Sequence, residues 1–244
     1  MKKIGILGGI GWPSTVEYYR LIHTLWQSRH QGIKGFNLPE ISIESLNMTR
    51  SLSLRGGSTS DSWAEWENYF VQGIQNLENA NCEVIAIASV TPHARLESIQ
   101  AKVSTPILSI YESVIRICKN NNISNCLVLG TQPTMKSAAF KIALINSGIE
   151  ARYPENQNAT TNTLSVINQL YENKVAGASA SICEIVNIEL EAKALGSTAI
   201  CLGCTELSTA FPKNIHKSLF QENGITFLNA FVAHVEDIVE RSLN

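Results

Sequence analysis

The run E-V-I-A-I-A (residues 83–88) leads into S-V-T-P-H (89–93). About half a chain later T-A-I-C-L-G (198–203) leads into C-T-E-L (204–207). Both runs are short, apolar and without polar alternation, the pattern of strands covered on both faces of a parallel sheet. Each ends on a small reactive side chain, Ser89 in one and Cys204 in the other. A threonine follows each, Thr91 and Thr205, and then a polar group, His93 and Glu206.

Working outward, the chain alternates strands with helices. K-K-I-G-I-L is a strand, followed by glycines and an amphipathic helix from about Ser14 to Trp26, with Ser14 and Glu17 as a capping box and Pro13 at the entry. E-I-S-I-E-S-L is a second strand. A polar loop over 47–62 then leads to a helix carrying Trp66, Phe70, Ile74 and Leu77 at helical spacing. After 83–88 come a helix holding His93, Leu96 and Ile99, the strand P-I-L-S-I and the helix Y-E-S-V-I-R-I-C-K. The pattern restarts with the strand N-C-L-V-L-G, one helix over T-M-K-S-A-A-F-K-I-A-L-I, the short strand I-E-A-R-Y and helices near 164–171 and 181–195. The strand at 198–203 and a C-terminal helix over F-V-A-H-V-E-D-I-V complete it. The expected fold class is α/β: two parallel-sheet, Rossmann-like lobes, residues 1–112 joined by a returning helix at 228–244, and residues 113–227.

Composition sets the broad class. Of 244 residues, 44% are hydrophobic and 16% charged, with a formal net charge of −2. This is globular composition with no basic block, so no nucleic-acid partner is expected. No apolar run reaches membrane-spanning length and the N-terminus turns glycine-rich at once, so no membrane partner and a cytoplasmic location are expected. Cys201 and Cys204 form a single C-x-x-C, but residues three apart on a strand face opposite ways and no second pair accompanies them. Neither a metal nor a disulfide is expected.

G-I-L-G-G-I-G lies where a dinucleotide fingerprint would, but its spacing from Gly9 is wrong, and Glu44 lies too far beyond Gly11 for the usual ~20-residue offset. A plain tight turn is one reading. An anion site, with Gly9 and Ile10 offering N–H groups to a carboxylate, is the second, and a nucleotide site is the third.

In parallel α/β lobes ligands collect at the carboxyl ends of strands, where Ser89 and Cys204 both stand. Two such groups facing one substrate suit proton removal from, and return to, a carbon beside a carboxylate. A thiol, with an ordinary pKa near ~8.5, serves as acid or base, whereas a serine hydroxyl needs activation. The plain alternative for Cys204 is a buried strand cysteine.

These residues resemble the aspartate/glutamate racemase family along nearly the whole chain. G-G-I-G-W-P-S-T-V-E-Y-Y-R is similar to the family's N-terminal motif, L-G-T-Q-P-T-M to its second-lobe entry, L-G-C-T-E-L to its second catalytic motif, and T-P-H to the segment after its first catalytic residue. The resemblance implies two pseudo-symmetric lobes with the active site between them, a homodimer, and catalysis without pyridoxal phosphate, nucleotide or metal. It makes Cys204 the second-lobe acid/base and puts Ser89 in place of the first-lobe cysteine. It places substrate-binding groups at Gly9, Ile10, Val90, Thr91, Thr131, Gln132, Thr134, Thr205 and Glu206. Val90 replaces the usual asparagine, Thr161 lies near a common lysine, Asn229 replaces an aspartate and Phe140 a tyrosine. Arg50 and Arg55 either replace the missing cation or are solvated loop residues. The implied activity is racemisation of aspartate, glutamate or a related acidic amino acid. The alternative is a degenerate or one-sided member, of isomerase or decarboxylase type, that binds a small carboxylate.

Overall fold

The computed structural model describes residues 1–29, 38–56, 61–191 and 198–243. The chain divides into two compact units, residues 1–109 with 235–244, and residues 110–234.

In the first unit, strand β1 (Ile4–Gly8) leads through the glycine turn into helix α1 (Trp12–Arg29). Strand β2 (Ile41–Ser45), the short helix α2 (Met48–Ser53) and helix α3 (Ala64–Asn79) follow. Strand β3 (Val84–Ile87), a 3₁₀ turn over Thr91–Arg95, helix α4 (Leu96–Gln100) and the two-residue strand β4 (Ile107–Leu108) complete the series. The strands form one parallel sheet in the order β2-β1-β3-β4. Trp66, Phe70, Ile74 and Leu77, one face of α3, pack with Leu7, Ile85 and Ile87 of the sheet. Each such side chain, once buried, contributes roughly 1.5–3 kcal/mol.

The second unit opens with helix α5 (Ile110–Asn120) and strand β5 (Asn125–Gly130). Helices α6 (Gln132–Met135) and α7 (Ala138–Asn146), strand β6 (Glu150–Arg152), helices α8 (Gln157–Tyr171) and α9 (Ala178–Glu191) and strand β7 (Ala199–Gly203) follow. Beyond a 3₁₀ turn over Thr205–Ala210 lie strands β8 (Leu219–Glu222) and β9 (Ile225–Asn229) and helix α10 (Ala230–Leu243), within which the division of the chain falls. The sheet order is β6-β5-β7-β9-β8, parallel except for β8. Without β8 this is the order of the first sheet: second strand, first, third, fourth. Leu127, Leu129, Ile200 and Leu202 form its core with Val166 and Ile167 of α8 and Ile182 and Val186 of α9.

Five sequence expectations are corrected. α1 starts at Trp12, so Ser14 lies inside the first turn rather than capping it, and Glu17 pairs with Arg20. The polar loop at 47–62 contains α2, started by the Asn47 side chain accepting the Arg50 N–H. The helix expected around His93 is a 3₁₀ turn followed by α4. The single helix expected over 134–145 is two, because Ser137 is extended (φ −70°, ψ 108°) and its hydroxyl caps α7 at the Phe140 N–H. The β8–β9 hairpin was not anticipated. Its two-residue loop, Asn223–Gly224, has positive φ at both positions (50° and 77°), the geometry that matches hairpin twist. Of the helix expected at 181–195, residues 192–195 lie outside the described residues.

Gly9 sets the first turn. Its φ is +78°, and a Cβ there would sit 2.1 Å from the Leu46 carbonyl oxygen, where the β2 end crosses close to the turn. Gly9→Ala is expected to lower unfolding stability by at least about 2 kcal/mol through left-handed strain plus backbone collision, read as a shift of the urea midpoint.

Candidate functional site

In each sheet the connections from the first strand and from the third leave in opposite directions, so the crevice beyond their carboxyl ends is where such a sheet offers a ligand site. In the first unit the β1 end carries Gly9 and Ile10 and the β3 end carries Ser89, Val90 and Thr91. Gly8 stands in register with Ser45, so α2 with Arg50 leaves the same edge. In the second unit the β5 end carries Thr131, Gln132 and Thr134, and the β7 end Cys204, Thr205 and Glu206. Gly130 stands in register with Gly203, which brings these two strand ends side by side.

The Gly9 N–H donates to Thr15 Oγ1 at 2.9 Å, and that hydroxyl donates to the Gly11 carbonyl at 3.3 Å. This N–H is therefore spent inside the turn. Ile10 and Val90 have buried side chains, Ile10 within the core under α3. Arg50 is in α2, its guanidinium 4.6 Å from the Tyr69 ring centre, while the Tyr69 hydroxyl accepts the Asn47 N–H at 2.8 Å. Arg50 is exposed and lies over the face of the Tyr69 ring. Arg55 follows α2 and is half-buried.

Ser89 is half-buried, and its backbone is engaged on both sides. Its N–H donates to Ile87 O at 2.8 Å, and its carbonyl lies 2.9 Å from His93 Nδ1. His93 Nε2 lies 3.3 Å from the Leu108 carbonyl, so the ring sits between the Ser89 turn and β4, and in its neutral form its one N–H donates to one of the two carbonyls. Burial pushes its pKa down to about 4 against hydrogen bonds to backbone carbonyls that favour the cation, so the ring is neutral at pH 7.

In the second unit Cys204 is extended (φ −135°, ψ 130°) and begins the 3₁₀ turn. Cys204 belongs to the same core face as Ile200 and Leu202, and the buried Cys201 projects to the other face by strand alternation. Cysteines 82, 118, 126, 183, 201 and 204 are all free. The Cys204 thiol donates to Glu206 Oε2 at 3.0 Å, and the Thr205 hydroxyl donates to the same oxygen at 3.0 Å. Burial, then the Glu206 charge and hydrogen bond, raise the Cys204 pKa well above its ordinary value, outweighing the Glu206 and Leu207 N–H groups. The Cys204 side chain thus rests as a thiol, donating to the Glu206 carboxylate. From sequence Glu206 appeared as a substrate contact. Its bond to the thiol depends on the chain turning sharply at Thr205, which residue spacing does not reveal.

Thr131 and Thr134 hydroxyls lie 3.2 Å apart, and the Thr134 methyl group packs beside Gly130 and Gly203, leaving Gln132 exposed. The buried Asn229 Oδ1 accepts from Ser208 Oγ at 2.7 Å and ties the turn after Cys204 to the β9 end. The Thr161 hydroxyl bonds its own helix at Gln157 O. Among the described residues no cluster of three or more His, Cys, Asp or Glu side chains could hold a metal ion, and no helix is long and apolar enough to cross a membrane.

A thiol and a carboxylate are in contact at a strand end, in a chain of two like-ordered sheets. The Asp/Glu/hydantoin racemase family profile matches residues 7–238, and the chain belongs to that family. It is 28% identical over 167 residues to the broad specificity amino-acid racemase RacX of Bacillus subtilis (strain 168), covering 68% of this chain and 71% of that protein. It is similar in fold to an aspartate racemase homologue from Pyrococcus horikoshii OT3 (TM-score 0.78, 24% identity, 100% of both chains). It is likewise similar to the aspartate racemase of Picrophilus torridus (TM-score 0.72, 18% identity, 98% of this chain and 94% of that one).

Two predictions follow from these contacts. Because the folded His93 pKa lies below the unfolded value of 6.5, folding stability is full above pH 6.5 and falls as pH drops towards 4. The loss is about 3 kcal/mol, and urea midpoints of a His93→Gln variant should lack this component. Glu206→Gln removes the charge that holds the thiol protonated, so the alkaline-side pKa of Cys204, followed by thiolate absorbance or iodoacetamide rate, should shift to lower pH.

Proposed function

We propose that this protein is a cofactor-independent amino-acid racemase that acts on aspartate, glutamate or a related amino acid. The carrying observation is the Cys204 thiol 3.0 Å from the Glu206 carboxylate at the β7 carboxyl end. Glu206 takes the thiol proton, and the thiolate then removes the α-hydrogen of the substrate. In the other direction the thiol returns a proton to the α-carbon. Ser89 serves the opposite face of the same carbon as a hydroxyl relay. Thr131, Thr134 and Thr205 supply hydroxyl donors as negative charge grows on the substrate carboxylate, and Arg50 supplies a cation for it. The equilibrium constant of racemisation is one, so the two enantiomers must share one specificity constant, while their saturated rates differ because thiol and hydroxyl are unlike groups.

The name of the Bacillus subtilis relative extends the substrate range to test beyond acidic amino acids. A second reading rests on Ser89 itself: with one thiol, the site performs one-sided proton chemistry, such as isomerisation or decarboxylation of a small carboxylate.

The test is α-deuterium incorporation in D₂O, by NMR, over both enantiomers of a broad amino-acid panel. Exchange with inversion is expected, Cys204→Ala should lower it by at least about 10³-fold, and Ser89→Cys should raise it. Exchange without inversion would favour the one-sided reading, and no exchange with any amino acid would overturn both.

A further inference from the structure

Asn229 is fully buried where β9 ends and α10 begins, and three segments of the second unit meet on its side chain. Its Oδ1 accepts from Ser208 Oγ at 2.7 Å, in the turn after Cys204, and from the Val232 N–H at 3.4 Å, in the first turn of α10. Its Nδ2 donates to the Ile215 carbonyl at 3.5 Å. A backbone N–H only donates and a backbone carbonyl only accepts, so Oδ1 must face Val232 and Nδ2 must face Ile215. The amide is therefore fixed in one orientation, and the buried Ser208 hydroxyl is the donor in its bond.

The turn over Thr205–Ala210 has bonds of its own. The Leu207 N–H donates to the Cys204 carbonyl at 3.1 Å, and the Thr209 hydroxyl donates to the Glu206 carbonyl at 2.7 Å. These shape the turn without tying it to the sheet. Asn229 stands in register with Leu202, on the strand beside the one that ends at the thiol, so its bond to Ser208 supplies that tie.

We propose that Asn229 is a positioning residue for the thiol: through Ser208 it pins the turn to the sheet, keeps the Glu206 carboxylate against Cys204, and so sets how readily the thiol ionises. Cys204 is part of the strand end and Glu206 part of the turn, so their contact at 3.0 Å exists only while turn and sheet keep one relation. Among the described residues Glu206 is the one charged group that acts on the thiol, which otherwise shares a core with Ile200, Leu202 and Leu207. Its charge and its hydrogen bond both oppose the thiolate, and both weaken with distance. Releasing the turn therefore makes the thiol more acidic. The proposal deepens the racemase reading, in which Cys204 is acid and base, but its test is read on the thiol and needs no turnover.

The test follows iodoacetamide alkylation of Cys204 in the full chain, with the modified cysteine identified by peptide mass spectrometry and folding checked by circular dichroism. At about pH 8, Ser208→Ala should raise the rate at least about threefold, the effect of a half-unit fall in thiol pKa. Glu206→Gln should raise it as well. In the Glu206→Gln background Ser208→Ala should add nothing, because the charge whose position it controls is gone. An unchanged rate in Ser208→Ala would overturn the proposal. So would the same acceleration with and without the Glu206 charge, the sign of a thiol that is merely more accessible. If the alkylation results hold while no amino acid is turned over, the racemase reading fails and the positioning role stands.

Discussion

Parallel pairing of β1 with β3, and of β5 with β7, is the constraint on which the chemistry rests. A parallel ladder puts every carboxyl end on one edge, so residues distant in sequence arrive together without any loop having to carry them. The order second-first-third-fourth, present in both sheets, opens a crevice between the first and third strands. The small residues at those ends have a purpose in this light. Gly130 and Gly203 face one another across the ladder, and a Cβ on either would lie under 3 Å from the neighbouring backbone. Side chains there would push apart the two strand ends that carry Thr131 and Cys204.

The two strand ends solve different problems with similar chain geometry. At the β3 end a neutral buried imidazole sits between two carbonyls and donates its one N–H to one of them. At the β7 end the backbone turn is held from outside, by Ser208 on Asn229, and the side chains interact with one another. The acidic neighbour stabilises the protonated thiol, so the contact that fixes the Cys204 side chain also raises the cost of ionising it.

Most strands could be read from the residues because buried parallel strands are written as plain apolar runs, and E-V-I-A-I-A or A-I-C-L-G allow few alternatives. The errors have physical causes. α2 is six residues of mixed polarity, stabilised by Asn47 and by Arg50 lying on Tyr69, and neither leaves a periodic trace. The break between α6 and α7 falls within an apolar stretch whose periodicity runs straight through Ser137. The Asn223–Gly224 hairpin was legible, since that dipeptide between apolar runs signals a two-residue turn. At the site, Cys204 was visible as a reactive residue ending a strand. The roles of Glu206, Thr15 and Asn229 were not, because each depends on where a side chain points after a turn.

The hairpin has one more effect. Without β8, the outermost ladder of the second sheet would be β9, whose apolar residues and open N–H and C=O groups would invite another chain to add on. The returning strand occupies those groups and substitutes a four-residue border bearing Gln221 and Glu222, short and polar enough to discourage such templating. A two-residue reversal of the chain thereby protects the sheet that carries the thiol from aggregation along its rim.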